Sequence, residues 1–191
     1  METGHKYAAI DIGSNAVRLL LSAMFETDNG PYFRKISLIR MPIRLGDDAF
    51  IHQCISDPKI DQLVQAMTGF RHLIEAYQPI AYRACATSAM REAQNGLQIC
   101  RRIREKAGIE IQIIDGKEEA RIIFANSSRK GKHDKAVEVY LDVGGGSTEI
   151  TIFNGNHQES RSFNIGTIRL MQDMVTSADW EQMKQWVKEK T

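Results

Sequence analysis

Two glycine-rich turns are the segments of this sequence best suited to bind an anion. In the first, Asp11 closes an apolar run and is followed by Gly13, Ser14 and Asn15 before the next apolar run begins. Glycine lets successive backbone N–H groups curl around an anion because no side chain stands in the way, and serine and asparagine add neutral donors. We therefore predict that Gly13, Ser14 and Asn15 form a phosphate cradle, with a plain tight hairpin as the alternative.

A second turn of the same kind follows Asp142. Its residues are Gly144, Gly145, Gly146, Ser147 and Thr148. Two matched copies facing one cleft favour anion binding over two plain hairpins. Because a carboxylate repels phosphate, we expect Asp11 and Asp142 to hold a hydrated Mg²⁺ or to orient a water molecule instead.

Two further segments carry charge at the predicted start of a helix. Glu118 and Glu119 are adjacent acids, and acids at this place commonly do no more than complement the helix dipole. Adjacent helical residues point about 100° apart, so only one of the two can face a site. Arg91 lies in the first turn of another predicted helix, where the dipole disfavours a cation unless an anion is nearby. We therefore regard Arg91 as a candidate phosphate ligand, with a solvated arginine as the alternative.

Both turns belong to a long internal repeat. Each copy consists of an apolar strand ending in aspartate, the glycine-rich turn, a second apolar strand, a Gly/Asn turn and a third alternating segment. The third segments span 32–40 and 158–164, and the Gly/Asn turns predict hairpins. The two aspartates stand 131 positions apart, which is too long for a solenoid repeat and suits a duplicated domain. The repeat therefore predicts two similar lobes.

Strands and helices alternate between the two copies. The predicted elements are a helix over 60–77 entered at 57–58, a strand over 80–86, a helix over 92–107, a strand over 109–114 and a helix over 118–127. This alternation is typical of an α/β lobe with parallel strands. The polar run 129–135 predicts a linker that divides the chain into lobes 1–130 and 131–191. In the second lobe, helices are predicted after Gly166 and from a Ser177 cap to Lys190.

The composition excludes several classes of protein. Of 191 residues, 25 are Lys or Arg and 24 are Asp or Glu, so no overall field attracts nucleic acid or an anionic membrane. No apolar run approaches the ~20 residues that cross a bilayer. The three cysteines are odd in number and lack metal-site spacing, which argues against a disulfide framework and a zinc site. We therefore expect a cytoplasmic protein without nucleic-acid or membrane partners.

In chain order, the motifs resemble those of the exopolyphosphatase and guanosine pentaphosphate phosphatase family. They are DIGSNAVRL at 11–19, ATSAMREAQN at 86–95, GKEEAR at 116–121, DVGGGSTE at 142–149 and NIGTIRL at 164–170. The resemblance implies an α/β fold of the actin, Hsp70 and sugar kinase type, which is ribonuclease H-like, with two duplicated lobes around a phosphate-binding cleft. It also implies that the second lobe is incomplete within this chain.

The resemblance further implies roles for individual residues. Glu119 is the implied general base for the attacking water. Asp142 and Glu149 are the further implied catalytic residues, which hold Mg²⁺ or Mn²⁺ or position the water, and Asp11 is a further metal ligand. The implied phosphate ligands are the two glycine-rich turns, Arg18 and Arg91. The implied reaction is attack of water on the terminal phosphoanhydride of inorganic polyphosphate or guanosine pentaphosphate. The sequence leaves both substrates open.

Two other functions share these features. A kinase of the same architecture would pass the phosphate to an acceptor, and it would need an acceptor-binding segment with its own base. A nucleotide- or phosphate-binding module would bind without hydrolysis. An incomplete second lobe also leaves a sheet edge unpaired, and we expect a neighbouring copy to cover it, which predicts a homodimer.

Overall fold

The computed structural model describes residues 4–28, 30–127, 137–154 and 157–191. These residues form two compact units that divide between Ile113 and Ile114. The first unit contains β1 (His5–Ile12), β2 (Val17–Phe25), β3 (Tyr32–Met41), α1 (Leu45–His52), α2 (Asp57–Tyr77), β4 (Ala81–Ala86), α3 (Ser88–Glu92), α4 (Gly96–Ala107) and β5 (Gln112–Ile113). The second unit contains α5 (Gly116–Ser127), β6 (Glu138–Val143), β7 (Thr148–Asn154), β8 (His157–Phe163), α6 (Thr167–Met171) and α7 (Ser177–Lys190). The strands β3 and β8 confirm the third segment of each repeat copy.

A mixed five-stranded sheet with the order β3-β2-β1-β4-β5 forms the first unit. β1 pairs antiparallel with β2 and parallel with β4, and β4 pairs parallel with β5. Ala8, Ile10 and Ile12 of β1 are buried, because successive side chains of a strand point to opposite faces of the sheet. The prediction of parallel strands beside a hairpin is confirmed for this unit.

Helix α2 confirms the strongest helical pattern of the sequence. Pro58 lies in its first turn, where the missing backbone N–H would have no partner in any case. The buried positions recur every three or four residues, as expected of one helical face: Ile60, Leu63, Met67, Phe70 and Ile74. This face packs α2 onto the unit, and α2 also packs against α4.

Two predictions for the first unit are wrong in detail. The helix predicted over 92–107 begins only at Gly96, as α4, because the chain is interrupted at 93–95 after the separate helix α3 ends at Glu92. The interruption depends on contacts remote in sequence: the Asn95 side chain donates to the carbonyl of Ile55 (2.8 Å) and accepts the Ile55 N–H (3.0 Å). The strand predicted over 109–114 is limited to Gln112–Ile113, and α1 is a helix that no pattern in the sequence predicts.

The second unit is a three-stranded antiparallel sheet with the order β6-β7-β8. Its core lies between this sheet and α7 and consists of Ile150, Ile152, Phe163, Ile165 and Trp186. The predicted cap of α7 is wrong by one residue. Thr176, rather than Ser177, is the capping residue, because its hydroxyl accepts the N–H of Asp179 while the Asp179 carboxylate accepts the N–H of Thr176.

The predicted lobe boundary at 130/131 lies outside the described residues. Within the described residues, the division by compactness falls earlier in the chain, because α5 packs against β7 and β8. The helix that carries the two adjacent acids therefore belongs with the second glycine-rich turn. None of the helices described has the combination of length and apolar composition that crossing a bilayer requires.

Candidate active site

The two glycine-rich turns repeat one hydrogen-bond pattern. Gly13 donates its N–H to the carbonyl of Ala16 at 3.1 Å, and Gly144 donates to the carbonyl of Ser147 at 2.8 Å. Each bond closes a turn of four residues between two antiparallel strands, β1 and β2 in the first unit and β6 and β7 in the second. The repeat seen in the sequence is therefore also a repeat of backbone geometry.

In the second unit, one segment of chain binds every carbonyl of the three glycines. The bonds run from Thr167 N to Gly144 O (3.0 Å), from Ile168 N to Gly145 O (2.9 Å) and from Arg169 Nε to Gly146 O (2.7 Å). In a planar trans peptide the N–H points away from the preceding C=O. The N–H groups of Gly145, Gly146 and Ser147 therefore point away from α6, and none of them donates to a described backbone acceptor. Three successive N–H groups on one side are suited to binding an anion.

Thr148 differs from the prediction that it binds phosphate. Its side chain is buried, and its hydroxyl donates to the carbonyl of Ile165. That proton is already used inside the unit, so the donors of this turn are backbone N–H groups together with the hydroxyl of Ser147. Ser147 is itself 3% exposed, which places its hydroxyl within the turn rather than in bulk solvent.

The first turn is supported by backbone donors. Gly46 donates its N–H to the carbonyl of Ser14 (2.8 Å), and Arg44 donates to the carbonyl of Asn15 (3.0 Å). Because these carbonyls face the start of α1, the N–H groups of the next residues, Asn15 and Ala16, point away from it. The N–H groups of the second turn point away from α6 in the same way. Asn15 and Arg18 are exposed, whereas Ser14 is buried.

The structure adds Ser88 to the first turn. The hydroxyls of Ser14 and Ser88 lie 2.8 Å apart in a buried contact, and Thr87 donates its N–H to the carbonyl of Ile12 (3.1 Å). Arg91 follows in α3 and donates its own N–H to the carbonyl of Thr87. The motif at 86–95 is thus anchored at the first turn. Sequence reasoning treats its hydroxyls only as helix caps and misses Ser88, because the signal is a contact across 74 positions.

The two aspartates have opposite electrostatic environments. Asp11 lies directly across the sheet from Arg18, and their side chains form an ion pair at 2.8 Å. At the equivalent position of the second unit, Asp142 lies across from another acid, Glu149. Glu149 is 3% exposed and accepts a hydrogen bond from the hydroxyl of Ser162 at 2.7 Å. Like charges directly opposite each other in a sheet repel, so the acidic pair of the second unit is suited to a cation, whereas Asp11 of the first unit is already paired with one.

The Asp142–Glu149 pair fits Mg²⁺ or Mn²⁺ in chemistry. Carboxylate oxygens are hard ligands, and Mg²⁺ in phosphate-processing sites is typically bound by one or two carboxylates together with waters and substrate phosphates. Among the described residues, no three acidic, histidine or cysteine side chains converge on a metal position. Asp11, expected as a further metal ligand, instead forms an ion pair with Arg18.

The start of α5 distinguishes the two adjacent acids. Arg121 forms two hydrogen bonds with the carboxylate of Glu118, at 2.8 and 2.9 Å, and this pairing raises the pKa of Arg121 above its ordinary value. Glu119 instead follows Gly116 by three residues, which puts both on one helix face. Gly116 lies so close to β8 that a Cβ there would be 2.6 Å from the Cβ of Ser162. The helix face shared by Gly116 and Glu119 therefore lies against Ser162, the residue that bonds Glu149.

Sequence comparison supports the motif-based resemblance. The profile of the Ppx/GppA phosphatase family matches residues 24–190. The chain is 28% identical to a bifunctional 3-dehydroquinate synthase/phosphatase of Fusobacterium nucleatum, over 95% of this chain and 29% of that protein. It is 27% identical to exopolyphosphatase 1 of Mycobacterium tuberculosis, over 76% of this chain and 42% of that protein. The chain thus spans less than half the length of these curated relatives.

Solved structures have the same fold. A Ppx/GppA family member of Aquifex aeolicus superposes with a TM-score of 0.76 at 22% identity, over 97% of this chain and 61% of that one. An exopolyphosphatase of Cytophaga hutchinsonii superposes with a TM-score of 0.78 at 24% identity, over 97% and 60% of the two chains. The expected actin- and sugar-kinase-like α/β fold class is confirmed. With the matched profile extending over most of its length, the chain belongs to the Ppx/GppA phosphatase family.

Proposed function

We propose that this chain carries the catalytic groups of a phosphoanhydride hydrolase that releases the terminal phosphate of inorganic polyphosphate. One observation carries the proposal: three backbone N–H groups with no described acceptor lie at the turn that joins the two opposed acids, Asp142 and Glu149. An anion nest beside paired carboxylates suits a phosphate group bound together with a divalent cation.

The substrate class follows from the donors. The N–H groups of Gly145, Gly146 and Ser147 bind phosphate oxygens and read no base or sugar. Relatives named exopolyphosphatase favour polyphosphate as the substrate. Guanosine pentaphosphate ends in the same phosphoanhydride and is the second substrate that we propose. In the first unit, Ser14, Asn15, Arg18 and Arg91 are the proposed ligands of phosphate oxygens.

In the proposed reaction, Glu119 accepts a proton from a water molecule whose oxygen attacks the terminal phosphorus. A bond forms between that oxygen and phosphorus, and the bridging P–O bond breaks. Its electron pair stays on the oxygen of the shortened chain. Phosphoryl transfer of this kind depends chiefly on positioning and on stabilising charge, which is the work of the N–H groups at the second turn. The helix face shared by Gly116 and Glu119 lies against Ser162, the residue that bonds Glu149, and this supports Glu119 as the base.

Mg²⁺ or Mn²⁺ is the cofactor that we propose. Asp142 and Glu149 would hold it, and a bound ion would neutralise part of the charge that builds up on the phosphate oxygens. The proposal leaves Asp11 with Arg18 and assigns it no metal.

The experiment compares two adjacent substitutions, Glu119→Gln and Glu118→Gln, by phosphate release from polyphosphate in Mg²⁺. Loss of a general base costs about 10² to 10⁴ in kcat, so E119Q should lose turnover while it retains substrate affinity. E118Q removes an exposed ion pair at the same helix start and should stay within about fivefold of wild type. Equal rates in the two variants would remove Glu119 from the mechanism. Binding of polyphosphate by the wild-type chain without any release would instead indicate a non-hydrolysing module, and transfer to an acceptor would indicate a kinase.

A further inference from the structure

Arg169 is a buried charged residue that the proposed reaction does not use. Its side chain is 9% exposed, and its Nε donates to the carbonyl oxygen of Gly146 at 2.7 Å in a buried hydrogen bond. Burying a guanidinium is costly unless it is hydrogen-bonded or paired. The hydrogen bond to Gly146 thus directs a charged group at the backbone of the glycine-rich turn.

The contact with Gly146 determines where the next N–H points. The peptide between Gly146 and Ser147 is planar, so fixing its C=O against Arg169 aims the Ser147 N–H away from α6. Three consecutive glycines have wide conformational freedom. A bond at this carbonyl therefore selects one orientation from several that the backbone could adopt.

The first unit accomplishes the same task without a side chain. There, the equivalent carbonyl, that of Asn15, accepts the backbone N–H of Arg44 at 3.0 Å. A backbone donor is neutral, whereas the guanidinium of Arg169 carries a full charge. Charge-assisted hydrogen bonds are roughly twice as strong as neutral ones, and they polarise the groups they join. The second turn is thus the one whose donors are strengthened by a cation.

The chain around Arg169 fits closely against the turn. A Cβ at Gly166 would lie 2.3 Å from the carbonyl oxygen of Gly145, so only glycine allows this approach. Arg169 follows three residues later, one helical turn along α6. The charge of Arg169 also acts on Asp179, whose pKa lies below its ordinary value chiefly through hydrogen bonds with Thr176.

We propose that Arg169 is a positioning residue that aims the Ser147 N–H at a phosphate oxygen and makes it a stronger donor. The proposal rests on the proposed function of the second turn as a phosphate cradle. It extends that function, because affinity for the terminal phosphate then depends on a side chain that does not touch the phosphate.

The test uses the whole chain with tripolyphosphate as the probe. Affinity is measured by calorimetry, and the amide signals of Gly146 and Ser147 are followed by ¹⁵N–¹H NMR with and without the probe. The variants are Arg169→Gln, Arg169→Lys and the control Arg161→Gln. Arg161 lies over the ring of Phe163, so R161Q removes the same charge from the second unit without altering the bond to Gly146.

The expected results separate positioning from general structure. R169Q should bind tripolyphosphate about tenfold more weakly or worse, from loss of one charge-assisted bond. Its Ser147 amide signal should move even without the probe, while the amides of the buried β7 residues stay in place. R169K keeps the charge and a donor and should lie between wild type and R169Q. R161Q should match wild type.

Each contrary outcome has its own meaning. Equal affinity and an unmoved Ser147 signal in R169Q, with binding by wild type intact, would overturn the positioning role and leave the proposed function standing. Absence of tripolyphosphate binding in wild type would overturn both. If R169Q does not fold, Arg169→Lys, which keeps the charge but lacks the Nε donor to Gly146, takes its place. Affinity and a Ser147 signal equal to those of wild type in R169K would then overturn the proposal.

Discussion

Asparagine substitutions at Asp142 and Asp11 should change stability in opposite directions. The two residues hold the same place in the repeat, at the end of the first strand of each unit. Asp11 faces Arg18 and Asp142 faces Glu149, so one substitution removes an attraction and the other removes a repulsion. The prediction depends only on the register of the two sheets and on charge.

The magnitudes follow from geometry and exposure. Directly opposed residues have Cβ atoms about 5 Å apart. Two unit charges at about 5 Å interact by about 0.8 kcal/mol at the dielectric constant of water and about 3 kcal/mol at an effective value of 20. Asp142 is exposed, which favours the lower figure, and we expect D142N to gain about 1 kcal/mol. The Asp11–Arg18 pair is close, but its side chains are 45% and 48% exposed, so D11N should lose about 0.2 to 1 kcal/mol.

Thermal unfolding followed by circular dichroism, in EDTA at pH 7 and low salt, measures both effects. For a chain of this size, 1 kcal/mol corresponds to about 2–4 °C in Tm, so D142N should melt above wild type and D11N below it. Both shifts should shrink in 0.5 M salt because exposed charges are screened. Added Mg²⁺ should raise the Tm of wild type and leave D142N unchanged. Shifts of the same sign in the two variants would refute the assignment of repulsion to Asp142 and Glu149.

Three further predictions concern the cofactor, acid stability and self-association. Excess EDTA should abolish phosphate release, and Asp142→Ala should raise the Mg²⁺ concentration needed for half-maximal rate; full activity in EDTA would contradict the metal proposal. Burial opposes the charged form of Asp48, but hydrogen bonds from Lys59 and Ser56 outweigh it and hold the pKa of Asp48 below its ordinary value. The stability that this carboxylate contributes is therefore present above about pH 4 and is lost as pH falls through the lower pKa of the folded state. In urea titrations, the free energy of unfolding should fall less on acidification in Asp48→Asn than in wild type. Within the described residues β6 pairs only with β7 and leaves Leu141 62% exposed, so light scattering should detect a dimer that Leu141→Lys weakens; a monomeric wild type would contradict this.

Local features of the sequence are enough to predict the repeat, the hairpins and the candidate turns. The alternation of apolar residues in β1 and β2 and the glycines at 144–146 act over a few residues, so their consequences are visible without a fold. The same holds for α2, where the spacing of buried residues and the proline at its start agree. The acids and glycines of the motifs could be identified for the same reason, and they lie at the ends of the elements predicted to carry them.

Contacts between distant residues decided the remaining features. Asn95 bonds Ile55, 40 positions away, so a predicted helix begins later than expected, and α5 joins the second unit through packing on β7 and β8. The two turns look equivalent in sequence, but their aspartates have partners of opposite charge. Only the strand register shows that Asp11 lies opposite Arg18 and Asp142 opposite Glu149. Glycine peptides have wide conformational freedom, and the carbonyl of Gly146, which shares its peptide with the Ser147 N–H, is bound by Arg169, 23 positions away. The sequence by itself determines which groups are available, and the tertiary hydrogen bonds determine where those groups point.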